Sequence, residues 1–573
     1  MNKLIDKITV PSLIILLIIA VFYKFNGALH HSFYTQIPQY FTSPEYFTQN
    51  LFIKQSTVIY SSIYYTILKY LNIDIYNGIC SLLVHFLFSL ISIFYSYKII
   101  KILTKNQKFS YLILLCVVYS DFFILSSIRS SPVFSHTLTP SHLSHSLVFP
   151  LIYYSIKSRW LIVSILSSIS IIVSIKVSWF PITITYLHYL NLFFRKKSFD
   201  LKTFKSLLWM LIPPTITLIL IIQNVSLYFT FNEKIKIFEF IIWRDQEEDV
   251  LHLNPILRIF FLFVSFFVFR HINKRFLRGD FYFYNNVLLI STIVMTIGGL
   301  IYNKFLYVYF PIPEILLLSP VRSLSLYQIL FTIILVNYSI EKRELFLNIL
   351  ILAYLSFVTL IYGSFNYSLY VFFFLAVTSN LSRRLFGKEL KSHFYISMTI
   401  LVTFFLLLTK LSFKPKNMLW VGSKNIYLNK NIDKDLLDVS SLIKDNQDFP
   451  LLSISQSSTD EKINLDNIFN QIDNRSNVIS KKSEYFSDPA HFYLSLNYQK
   501  EYFRRAEFIK LLFAYFKNPY NFKKFEKMIL CEDIVVLGPN KIFKNLGNEF
   551  ERISLNENYQ VLPLGVFKHY NFK

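Results

Sequence analysis

The sequence predicts a mainly α, polytopic transmembrane helical protein of about 13 spans, N-terminus in and C-terminus out, with a C-terminal extracytoplasmic α/β domain. Three observations lead there. Of 573 residues, 53% are hydrophobic and only 16% are charged, against about 25% charged in an ordinary soluble domain. Apolar runs of span length recur from residue 8 to residue 411, and the Lys and Arg residues between them concentrate in alternate connections. After Leu411 the composition turns polar and no further run of that kind appears.

The elements follow in order. A span needs about 17–25 mainly apolar residues. Runs that meet or approach this are 8–24, 76–97, 109–127, 145–157, 159–175, 178–194, 206–223, 254–270, 283–303, 323–340, 345–362, 366–382 and 393–411. The first, from Ile8 to Tyr23, lacks a small-residue cleavage site and reads as an uncleaved span. With the N-terminus inside, the short inner connections hold 23 Lys and Arg, among them Lys98, Lys101, Lys157, Arg159, Arg195 and Lys205. The longer outer loops 25–75, 128–144, 224–253 and 304–322 and the two short outer turns hold ten. That asymmetry orients the chain, and the odd count puts the tail outside. Residues 1–411 are thus the membrane domain and 412–573 the outer domain.

In the tail the pattern predicts strands at 450–455, 476–480, 533–537 (closed by Gly538-Pro539) and 559–563. Helices are expected near 464–472, 499–517 and 519–529; in the second of these, Phe503, Phe508, Ile509, Leu512 and Phe516 recur at three- and four-residue steps. The turn at Gly538 lacks the spacing of a nucleotide-binding loop.

Charge and cysteine usage exclude some chemistry. A formal charge of +23 would point to nucleic acid in a soluble chain, but these cations read as topology signals and no nucleic acid partner is expected. Cys80, Cys116 and Cys531 are far apart and form no metal or disulfide framework.

Four clusters on the expected outer face carry chemistry, each with a plainer alternative. Glu45, the one carboxylate between Pro38 and Asp74, suits a general base or a metal ligand; after Ser43-Pro44 it equally suits the first turn of an interfacial helix. His136, His142 and His145 suit a metal site or a phosphate-binding surface, or cap a helix at the interface. Asp245, Glu247, Glu248 and Asp249 could fold around a divalent cation, or be a solvated charge run. Arg322, after Pro311, Pro313 and Pro320, is placed to grip a lipid phosphate, or snorkels to the interface. Inside the runs, His85, His188 and Arg258 are the clearest ionisable residues. So few of them, and no internal repeat, count against a coupled transporter.

With one span, a long first outer loop, many further spans and an outer α/β tail, the layout resembles the GT-C superfamily of polytopic membrane glycosyltransferases, and a bacterial branch of it. The pieces are Gln36-Ile-Pro…Ser43-Pro-Glu-Tyr-Phe…Asn50-Leu-Phe, Pro140-Ser-His-Leu-Ser-His145, Leu318-Ser-Pro-Val-Arg322 and Glu532-Asp-Ile-Val-Val-Leu537. The resemblance implies a plasma-membrane enzyme that moves a sugar from a polyprenyl-phosphate-linked donor to an envelope glycan or protein. Glu45 best fits the superfamily's acidic residue and Arg322 its phosphate contact; a single Glu followed by Asn50, where members often carry an Asp or an acidic pair, is a departure. The other classes are a flippase of a lipid-linked glycan and a non-catalytic envelope assembly protein.

Overall fold

The computed structural model describes residues 78–103, 140–195, 201–223, 301–312, 333–339, 344–362, 367–387, 450–454 and 496–569, with short stretches such as 230–232, 270–272, 419–421, 426–428 and 483–484 and isolated residues or pairs elsewhere. The protein is largely helical with a small C-terminal sheet. It divides into two compact units, residues 1–26, 84–238 and 245–415 in one, and residues 27–83, 239–244 and 416–573 in the other. The expected spans 8–24 and 393–411, the tail helix 464–472 and the strand 476–480 lie outside the described residues. The runs 109–127, 254–270, 283–303 and 323–340 are described only in part.

The helices of the first unit begin with α1 (Gly78–Leu103), α2 (Pro140–Ser146), α3 (Val148–Ile156), α4 (Trp160–Arg195) and α5 (Leu201–Gln223). Helix α2 starts five residues ahead of the apolar run, because Pro140 is preset for the first helical turn and needs no N–H partner there. His142, expected in the outer loop 128–144, therefore lies in the same helix as His145. Leu147 stays near helical geometry (φ −84°, ψ −11°), so α2 and α3 form almost one continuous rod. It stops at Lys157-Ser158-Arg159, where Ser158 takes φ 53° and the amides of all three residues bond back to carbonyls at 153–155.

Helix α4 covers two expected spans with one non-helical residue between them, Ser174 (φ −162°, ψ 100°). A straight helix would hold Trp160 and Tyr189 about 43 Å apart. Their ring centroids are 4.8 Å apart. Helix α4 is therefore a hairpin that reverses next to Ser174, and the runs 159–175 and 178–194 are its two antiparallel arms.

Side-chain contacts set the levels of the remaining helices. His85 meets His142 and Tyr95 meets Tyr154, so α1 runs parallel to the α2–α3 rod. Ser144 bonds Ser170 and Ser155 bonds His188, so the first arm of α4 ascends beside the rod and the second returns. Tyr189 bonds Ser206, Ser164 bonds the Trp209 carbonyl and Tyr186 bonds the Met210 carbonyl, which sets α5 antiparallel to the returning arm. Lys98, Lys101, Lys157, Arg159, Arg195 and Lys205 consequently share one end of this bundle. Pro140 and Ser174 mark the other.

Among the described residues one helix, Leu83–Ile102 within α1, is long and apolar enough alone to cross a membrane, with mean hydropathy 1.7. Trp160–Ile175 and Thr203–Ile219 are apolar but shorter. Further along, α6 (Leu345–Tyr362) packs on α7 (Tyr367–Phe386). Glu344 accepts a 2.6 Å bond from the Tyr338 hydroxyl and lies 3.6 Å from His271. Two connections that the charge pattern assigns to the same face thus meet.

The second unit contains a hairpin of β1 (Leu419–Val421) and β2 (Ile426–Leu428) and a five-stranded sheet. Its strands are β3 (Pro450–Ser453), β4 (Ser483–Glu484), β5 (Val535–Pro539), β6 (Ile553–Ser554) and β7 (Tyr559–Pro563), in the order β4-β3-β5-β7-β6. β3 is parallel to β4 and β5; β7 is antiparallel to β5 and β6. All five residues of β5 are buried, as a strand covered on both faces requires. Helix α8 (Leu496–Lys517) buries Phe508, Ile509, Leu512, Phe513 and Phe516, and Phe516 stacks edge-on against Phe543. The expected helix 519–529 is broken into Pro519–Phe522, a 3₁₀ turn Lys523–Phe525 and Glu526–Leu530; Asn518 caps it by accepting from the Asn521 amide. β5 starts later than expected because the backbone turns at Glu532, whose amide donates to the Ile529 carbonyl and whose carbonyl accepts from the Ile534 amide. The Glu532 carboxylate binds Arg504 and the Asp533 carboxylate accepts from the Val566 amide.

Candidate functional site: a buried histidine and serine cluster

The end of the bundle away from the lysines and arginines is polar inside. The His85 and His142 rings meet edge to face with centroids 4.3 Å apart, and His145 follows one turn after His142. All three are buried, at 2%, 1% and 4% exposure. The sequence places His85 on a stripe with Ser89, Ser92 and Ser96, at steps of four, three and four, and all of these are buried. That stripe is the sequence signal for the His85 contact.

Serines close the reversal beside this cluster. The Ser144 hydroxyl lies 2.6 Å from that of Ser170 and also reaches the carbonyls of Ser170 and Ser174. Ser178 donates to the Ser174 carbonyl at 2.8 Å, and Ser146 donates to the His142 carbonyl at 2.9 Å. A helix break in an apolar environment leaves backbone groups that must be satisfied locally. Here Ser174 is itself buried, and the hydroxyls of two serines, Ser144 of α2 and Ser178 of the second arm, meet its carbonyl. Bulkier residues would hold the arms apart.

From Trp160 to Ser174 the first arm rises only about 21 Å, less than the ~30 Å of a hydrocarbon core. If the cationic end sits at one headgroup layer, the reversal and the histidines lie below the opposite one. Imidazole suits such a place chemically, because each neutral ring offers one donor and one acceptor and can hold an anionic oxygen or pass a proton.

Of the residues singled out in the sequence, His142 and His145 come together with His85 in the interior; neither caps a helix at a surface. Glu45, His136, Asp245, Glu247, Glu248, Asp249 and Arg322 lie outside the described residues. Among the described residues, no three His, Cys, Asp or Glu side chains converge as a metal site. Near the proline-rich segment that leads towards Arg322, Tyr302 in a π-helical turn (Tyr302–Leu306) donates to the Phe310 carbonyl at 2.6 Å and accepts from the Ile312 amide at 2.7 Å. That pins the chain just after the helix end. The chain matches no family model, no curated protein and no solved structure.

Proposed function

We propose that the protein is a multi-span membrane transferase that moves a sugar from a polyprenyl-phosphate-linked donor to a cell-envelope acceptor, on the face opposite its basic connections. The observation that carries this is the sidedness of the bundle: cations gather at one end, and the buried imidazole and hydroxyl cluster lies towards the other. In the reaction, the acceptor hydroxyl oxygen attacks the anomeric carbon and the bond from that carbon to the donor phosphate breaks. Polyprenyl phosphate leaves, and the acceptor proton passes to Glu45. Arg322 and His136 are assigned to the leaving phosphate, with His142 and His145 as further contacts for its oxygens.

The test is transfer from a labelled polyprenyl-phosphate sugar by purified wild type and Glu45→Gln. Loss of turnover in the variant at unchanged folding supports the assignment; unchanged turnover removes Glu45 from the chemistry. A flippase of the same lipid-linked glycan is the second reading, favoured by the burial of three histidines within the bundle. It would move the labelled lipid across a vesicle without forming a new glycosidic bond, and would tolerate Glu45→Gln.

A further inference from the structure

The cationic end of the bundle has a feature that sugar transfer on the opposite face does not use. Tyr95 of α1 and Tyr154 of α3 share a hydrogen bond of 2.9 Å between their hydroxyls, and Tyr153 packs against both rings at 5.6 and 5.3 Å. One helical turn further along each helix come Lys98 and Lys157, three residues on from Tyr95 and Tyr154 respectively. The Lys98 ammonium stands 5.0 Å over the Phe94 ring, and that ring in turn packs edge-on against Tyr95. Lys157 opens the tight turn that continues through Ser158 and Arg159, and all three of these residues are exposed. Two parallel helices therefore carry three phenol rings at one level and a group of cations at the next.

The sequence gives these cations no carboxylate neighbour. Residues 75–120 and 122–199 contain neither Asp nor Glu. Among the described residues no carboxylate pairs with Lys98, Lys157 or Arg159, so an anion that reaches this end gains their attraction without displacing such a partner. Tyrosine rings at the depth of a headgroup layer, with lysine and arginine just beyond, match an anionic phospholipid, whose phosphate meets the cations while its glycerol lies against the phenols.

We propose that Lys98, Lys157 and Arg159, with the Tyr95–Tyr154 pair, form a binding site for the phosphate of an anionic phospholipid on the basic face of the membrane. The site rests on the membrane-spanning part of the function proposed above and is independent of sugar transfer. It ties α1 to the α2–α3 rod at the end remote from the His85–His142 contact, so an occupied site stabilises the whole bundle.

The experiment uses the full chain in nanodiscs of phosphatidylcholine, alone or with cardiolipin. Cardiolipin binding is read by native mass spectrometry and by the thermal midpoint. Wild type is expected to retain cardiolipin and to melt higher with it than without. Lys98→Gln/Lys157→Gln should weaken cardiolipin binding about 30-fold, as expected for two lost surface cations, and should remove most of the thermal shift. Arg383→Gln/Arg384→Gln, which alters exposed cations at the end of α7, should leave both unchanged. Equal losses in the two double variants would overturn the site in favour of diffuse charge. An equal thermal shift from inorganic phosphate in phosphatidylcholine discs would overturn the assignment to a lipid. Release of the protein from membranes by alkaline carbonate would instead remove the membrane reading beneath both proposals.

Discussion

At Gly565 the backbone takes φ +60°, and a Cβ built there would meet the Asp533 carboxylate at 2.2 Å and the Glu532 carbonyl at 2.7 Å. The same carboxylate accepts from the Val566 amide, so it cannot swing aside without freeing that amide. Gly565→Ala should destabilise the sheet domain by about 2–3 kcal/mol through the combined backbone and steric penalties, read as faster hydrogen exchange across β5 and β7. Glu501 supplies a second test. Burial pushes its carboxyl up, but hydrogen bonds from Arg504 and Arg505 and their charges outweigh this and bring it down to about 2 from an ordinary 4.5. A depressed carboxyl stabilises above its unfolded value and loses that contribution as pH falls through the folded one. Protection of residues 496–569 should therefore decline between about pH 4.5 and 2, and Glu501→Gln should flatten that decline while costing about 1–2 kcal/mol at neutral pH. Neither residue drew notice in the sequence. The positive φ at Gly565 depends on Asp533, about 30 residues away, which no local pattern encodes. The Glu501 clamp is an i,i+3 and i,i+4 pair with Arg504 and Arg505 on one helix, a local spacing, and only the further tie from Arg504 to Glu532 is long-range.

Among the elements, the α4 hairpin is the sharpest structural claim. Its two arms were legible as separate apolar runs, because hydropathy dips at Ser174, Lys176 and Ser178. What hydropathy does not carry is how little chain the reversal takes, a single non-helical residue, since that depends on one serine of another helix, Ser144, meeting the break. Cross-linking can check it. In a chain with Cys80, Cys116 and Cys531 replaced by Ser, the pairs Ser144→Cys/Ser170→Cys and Ser155→Cys/His188→Cys should both cross-link within one molecule. A straight α4 permits the first and forbids the second, since 170 and 188 would then stand about 27 Å apart. In the tail, β3, β5, β7 and α8 were legible from period and burial. The β1–β2 hairpin was missed although Leu419-Trp-Val and Ile426-Tyr-Leu flank the turn residues Gly422 to Asn425; three residues per strand are too few for alternation to register.

For the whole molecule, charge counting in the sequence and contact geometry in the bundle give the same pairing of ends by separate routes. The count used only where Lys and Arg fall. The geometry used only which side chains touch, and it still gathered Lys98, Lys157, Arg195 and Lys205 at one end of the bundle and, separately, brought His271 to Glu344. If that shared end faces the cytoplasm and all thirteen expected runs span the membrane, the sheet domain is expected on the other side. Cys531 tests this without any substitution in that domain, because its thiol is free and exposed. With Cys80 and Cys116 replaced by Ser, a membrane-impermeant maleimide should label Cys531 in intact spheroplasts. A chain whose only cysteine comes from Ser158→Cys, at the exposed turn between α3 and α4, should be labelled only after the membrane is permeabilised. Labelling of both positions from the same side would break the link between the cationic end and the sheet domain. A transferase acting on the face of its longest loops would then lose the sidedness on which it depends.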